Sequence, residues 1–189
     1  MKKIVLLLAL VFTFVSYSVE AQRYVRNSEV QISLGLNTIA NNGSQSPVEN
    51  IDEWAFSSIP VTIGLVYKWN ALFGITHSYS FNKFDDSKLD GSPISEDFNY
   101  FAVDTGVNYY FGEHFLNSES LDLYASAGLG VFKIDDVSGS FNFGGGLTYW
   151  ISDTIGVSGE GLAKLAFEHA DEVYDTNHLQ FNLKVIYRL

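Results

Sequence analysis

Cysteine is absent from this 189-residue chain. That removes disulfides, thiolate metal centres and cysteine nucleophiles together, and leaves the fold to packing and ladder hydrogen bonds. Proline is scarce, at 3 residues, and no stretch beyond the amino terminus approaches the ~18 apolar residues of a membrane-spanning helix. Basic residues are few: 11 Lys and Arg stand against 22 Asp and Glu, for a net charge of −11. This balance argues against a nucleic-acid partner, because phosphate binding needs a basic face.

What is present begins with an export signal. Lys2 and Lys3 precede the 12-residue run "IVLLLALVFTFV", and "SVEA" supplies small residues for cleavage after Ala21. The reading is a signal peptide over 1–21, a short segment over 22–28, and one domain over 29–189. Loss of Lys2, Lys3 and Glu20 leaves 9 basic and 21 acidic residues, a mature charge of −12.

The remainder is apolar for an exported protein, at 47% hydrophobic and 15% aromatic. Its apolar residues recur with period 2, not with the 3.6-residue period of a helix. Eight strands are expected, at 29–38, 59–69, 72–82, 98–111, 121–133, 141–150, 155–167 and 178–189. Most have ten or more residues, which matches the ~9 to 11 that a tilted strand needs to cross a bilayer.

The connections between them run 20, 2, 15, 9, 7, 4 and 10 residues, alternately long and short. Big loops at one end and tight turns at the other are the asymmetry of a transmembrane β-barrel. The four long loops carry −3, −3, −2 and −4, so the acidity belongs to the loop end. The expected fold class is therefore all-β: an eight-stranded antiparallel up-and-down transmembrane barrel.

Alternation alone does not separate a membrane barrel from a soluble one that encloses an apolar ligand. The composition of the second face does. It is mostly Gly, Ser, Thr and Asn, whereas a water-facing surface would be roughly a quarter to a third charged. Its few charges are Lys68, Asp104, Asp122, Glu160, Lys164, Lys184 and Arg188, of both signs, and they read as an interior polar network. Aromatics gather at the short-turn end: Tyr67, Trp69, Phe73, Tyr109, Phe111, Tyr149, Trp150 and Tyr187 read as an interfacial girdle.

With "YASAGLGVF" on the fifth strand, "FGGGLTYWISDTIGV" across the third short turn and the alternating "LQFNLKVIYRL" at the end, the chain resembles a known family. It is similar to the small outer-membrane β-barrels related to the membrane domain of OmpA and to OmpX, over about residues 27–189. The resemblance implies a monomeric barrel in the Gram-negative outer membrane, in contact with its lipid and lipopolysaccharide and inserted by the barrel-insertion machinery. It also implies no cofactor, no enzyme activity, and a structural or surface role through loops that could meet an extracellular ligand. The sequence departs from full-length OmpA in having no peptidoglycan-binding domain after the barrel, and it ends in Leu189 where such barrels commonly carry an aromatic residue.

Four constellations bear on chemistry. His77 in "THSYS" lies on the predicted lipid face, where lipid A deacylases place a Ser two residues after the His; here that position is Tyr79. A lipid-modifying enzyme is thus a weaker alternative, alongside the soluble secreted or periplasmic ligand-binding barrel. Glu168, His169, Asp171 and His178 cluster near the last loop without the fixed third ligand of a metal site. Asp86, Asp90, Gly91 and Asp97 occupy positions of a calcium loop, but Lys88 intrudes and the flanks are strands, so the segment reads as an acidic surface loop. Glu160 and Lys164 with Lys184 and Arg188 fit a salt-bridge plug better than a pore gate, since eight strands leave little lumen.

Overall fold

The computed structural model describes residues 28–40, 54–55, 60–84, 88–89, 92–93, 97–116, 118, 120–167 and 177–189. The proposed signal segment, the acidic residues 49, 52 and 53, Asp86, Asp90 and Gly91, and Glu168, His169 and Asp171 lie outside them.

Ten strands follow in chain order: β1 Glu29–Ala40, β2 Val61–Lys68, β3 Phe73–Phe84, β4 Lys88–Leu89, β5 Ser92–Pro93, β6 Phe98–Tyr109, β7 Leu121–Lys133, β8 Val137–Trp150, β9 Ile155–Ala166 and β10 His178–Arg188. Eight of them close into an antiparallel barrel in the order β1, β10, β9, β8, β7, β6, β3, β2; β4 and β5 pair separately as a small hairpin in a loop. The seam runs from Gln31 opposite Arg188 to Ala40 opposite Leu179. Every strand of the barrel therefore has two neighbours, and the wall has no edge left to aggregate.

Strand parity sets what each face meets. Leu34, Leu183 and Val131 are 61%, 60% and 50% exposed, and the outer surface continues in the same aliphatic and aromatic vein. The lumen holds Gln31, Ser33, Asn37, Thr62, Ser80, Asn108 and Asn142, all buried. An apolar outside around a polar inside is the inverse of a soluble ligand-carrying barrel and is the pattern of one embedded in lipid.

Inward glycines let the wall close tightly. A Cβ on Gly144 would run into the carbonyl oxygen of Gly161 on β9, and one on Gly128 would meet the backbone of Thr105 and Gly106 on β6. At these positions the strands approach so closely that no side chain fits.

Two elements differ from the sequence reading. The 7-residue loop expected over 134–140 is only Ile134, Asp135 and Asp136, because Val137 to Ser140 extend β8 and pair with Gly130 to Lys133 of β7. Gly139 and the small serines weaken the alternation there, so the strand was masked in the pattern. Phe111, expected in a strand, begins a 3-10 turn, Phe111–His114, that links β6 to β7.

At the loop end the lumen turns apolar. Ile39, Ala55, Phe84, Phe98, Tyr100, Ala102, Phe132, Ile134 and Ala166 form one buried cluster across it. Ala55 is fixed by a two-way backbone pairing with Ile39, and its carbonyl also accepts from Thr38 Oγ1 at 2.9 Å and from Asn82 Nδ2 at 3.2 Å. The neighbouring Trp54 stacks on the outward Phe181, with ring centroids 4.9 Å apart.

Candidate functional site

Below the apolar lid, the lumen is filled in three tiers. In the highest tier, Lys164 Nζ donates to both carboxylate oxygens of Asp104, at 2.9 and 2.7 Å, and to the Tyr100 hydroxyl at 3.1 Å. Asn142 Nδ2 donates to Asp104 at 2.7 Å and is itself held by Ser140. The Tyr100 hydroxyl lies 3.0 Å from Nε2 of His178, whose ring packs edge-on to Phe132. Beside them a neutral chain joins Gln180, Ser80, Thr62, Asn182 and Asn37.

The middle tier centres on Glu160. It accepts from Lys184 Nζ and Asn182 Nδ2, each at 2.9 Å, and from the Tyr124 hydroxyl at 2.8 Å. The lowest tier lies at the turn end. Arg188 Nε donates to Glu29 at 2.7 Å, and Gln31 donates to the same carboxylate. Lys68 stands 3.8 Å from Asp122 and 3.8 Å from the centre of the Tyr110 ring. Burial raises the Tyr110 phenol above its ordinary value, so the ring stays neutral beside the ammonium.

The seven charges named from the sequence all enter this lumen, where Glu29 completes four ion pairs. Glu29 was readable by parity with Gln31 and Ser33, but as the first residue of its strand it carried no flanking pattern. Among the described residues, four cations stand against four carboxylates in the lumen and balance their charge. The acidity of the chain is carried elsewhere.

Of the predicted girdle, Tyr67, Trp69, Phe73, Tyr149 and Tyr187 are exposed on the outer face, and Tyr109 and Phe111 are half-buried. Trp69, Phe73 and Tyr109 stack in sequence, with centroids 6.1 and 5.2 Å apart. Trp150 does not belong to the girdle. It follows Tyr149, so its side chain takes the opposite face: it is buried, donates Nε1 to Asp122 at 2.9 Å, and lies 3.6 Å beneath the Arg188 guanidinium. A second outward band, away from the short turns, contains Phe81, Phe101, Phe141 and Phe167 near the loop end.

His77 is on the outer face, with Nδ1 2.8 Å from the Thr105 hydroxyl of β6 and its ring edge-on to Tyr79. No carboxylate orients it in the described structure, and the flanking backbone is committed to the β3–β6 ladder. Acyl hydrolysis uses an orienting acid and free backbone donors beside such a pair, and the described residues around His77 supply neither. Among the described residues no three His, Asp or Glu come together as a metal site; Asp97 pairs instead with Lys83, and His178 faces the lumen tier.

A closed eight-stranded barrel with an apolar exterior, two outward aromatic bands and a filled polar lumen is a small transmembrane barrel. The family described as "Outer membrane protein beta-barrel domain" matches residues 6–188, and the chain belongs to it. It is thus an outer-membrane protein. No curated protein matches the sequence.

Solved structures agree on the fold. The N-terminal β-barrel domain of Pseudomonas aeruginosa OprF is similar at TM-score 0.54 and 16% identity, over 88% of this chain and 100% of that one. Neisserial surface protein A gives 0.55 and 13%, over 88% and 99%. The Yersinia pestis outer membrane protein Ail, in a phospholipid nanodisc, gives 0.52 and 18%, over 86% and 100%.

Proposed function

We propose that this protein is a non-enzymatic, sealed outer-membrane barrel that acts as a structural wall element and presents acidic loops to the cell exterior. One observation carries the reading: among the described residues the lumen is crossed by ion pairs below and by the buried Phe84, Phe98, Phe132 and Ile134 lid above. A transport path would need water-lined space, and an enzyme would need a cleft with unsatisfied catalytic groups. The function then falls to what lies outside the wall.

The outer face contributes anchoring. The rings of Tyr67, Trp69, Phe73, Tyr109, Tyr149 and Tyr187 sit at one bilayer boundary as an aromatic girdle, with outer-membrane lipid and lipopolysaccharide as the surrounding partners. The barrel-insertion machinery is the partner that places the chain there. Loop charge supports a surface role, since the neutral lumen leaves the mature excess of acid at the loop end.

Planar-bilayer recording on the refolded protein tests the sealed state. The expected result is no steady conductance under conditions where an open porin conducts. A stable ion current from the wild-type chain would overturn the reading.

A further inference from the structure

Between the two aromatic bands, the outward face of the described residues is apolar or glycine on six of the eight barrel strands and polar at one place, where β3 meets β6. His77 and Tyr79 of β3 and Thr105 of β6 are the outward polar side chains at that depth among the described residues. His77 lies four positions from both Phe73 and Phe81, and Thr105 four positions from both Phe101 and Tyr109. The register pairs His77 directly with Thr105. The patch is therefore at mid-height of the lipid-facing belt.

A polar group at this depth has no water to bond, and each one left unsatisfied is expensive. Thr105 answers one nitrogen of the imidazole. The other nitrogen, Nε2, and the Tyr79 hydroxyl have no hydrogen-bond partner in the described structure. Lipid tails offer them none.

We propose that this face is where two copies of the chain pair within the membrane, about a two-fold axis through the His77–Thr105 patch. The patch complements itself. In one tautomer, Thr105 donates to Nδ1 and Nε2 carries a proton for the second copy's Tyr79 hydroxyl; the reciprocal bond forms across the axis. No net charge has to be matched, so the chemistry favours a copy of the chain over a charged partner. Leu65, Ile75, Val103 and Val107 surround the polar centre with aliphatic surface able to pack flat. Because the outer face has one such patch, association closes at two instead of propagating.

The absence of cysteine makes the test direct. In lipid vesicles, Leu65→Cys and Val103→Cys flank the patch, and Leu183→Cys on β10 lies on another side of the barrel. Mild oxidation should yield covalent dimer from at least one of the flanking variants and little from Leu183→Cys. Adding His77→Leu and Tyr79→Phe to the cross-linking variant should weaken dimerisation about tenfold, in the range of membrane hydrogen bonds. The doubly substituted chain should retain its boiling-dependent gel mobility, which reports a folded barrel. Equal cross-linking at all three positions, none at either flanking position, or no effect of the double substitution would overturn the proposal. So would cross-linking in native membranes to a different protein only.

Discussion

Lys164 Nζ lies 2.7 Å from Asp104 Oδ2, and the lysine side chain is fully buried. Sixty residues separate the two in sequence, yet each is the charge that lets the other stay inside. Removing one member of such a pair strands its partner. Lys164→Met should destabilise the barrel by roughly 3–5 kcal/mol, and adding Asp104→Asn should restore most of that loss. Urea unfolding in vesicles measures both; an unchanged midpoint for Lys164→Met would mean that water reaches Asp104.

Trp69 and Trp150 belong to different environments although both lie near the turn end. Brominated lipids should quench a chain retaining Trp69 as its sole tryptophan, and should leave one retaining Trp150 nearly as bright as in ordinary lipid. Strong quenching of the Trp150 chain would contradict its place between Asp122 and Arg188.

Gly144 has the carbonyl of Gly161 where a methyl group would go. Gly144→Ala should therefore push β8 from β9 and lower stability by about 1–3 kcal/mol, the range of overpacked interiors. The unfolding midpoint is the readout, with outward Gly159→Ala, which has open space around it, as the neutral comparison.

Phe132 is 1% exposed and packs between the Tyr100 and His178 rings. Phe132→Ala should cost about 3–5 kcal/mol through the cavity it leaves. Intermittent current in planar bilayers, absent from the wild type, is the accompanying expectation.

The Lys83–Asp97 pair is the contrast case, because Asp97 is more than half exposed. Asp97→Asn should change stability by no more than about 1 kcal/mol, as exposed ion pairs do. A larger loss in urea would show that the pair fastens the loop.

The eight strands were legible because lipid outside and a narrow lumen inside impose opposite compositions on alternate residues. Parity puts Lys68, Asp104, Lys184 and Arg188 on the inward face for the same reason. It also contained the answer for Trp150, which proximity to Tyr149 obscured: neighbours in a strand cannot share a face. The apolar lid was less accessible. Phe84, Phe98, Tyr100 and Phe132 occupy inward positions, so they break the polar-inside rule, and only the closure of β3, β6 and β7 brings them together. The partner of each buried charge was hidden likewise, since pairs such as Arg188 and Glu29 depend on the seam register.

The four buried cations differ in their access to water. Lys68, Lys184 and Arg188 keep about a tenth of their side-chain surface exposed, whereas Lys164 beneath the lid keeps none. The charged interior is consequently driest around the Lys164 ammonium, under the Phe84, Phe98 and Phe132 lid. Amide exchange should match, with strand segments beside Lys164 exchanging last, even though every barrel strand spans the same wall.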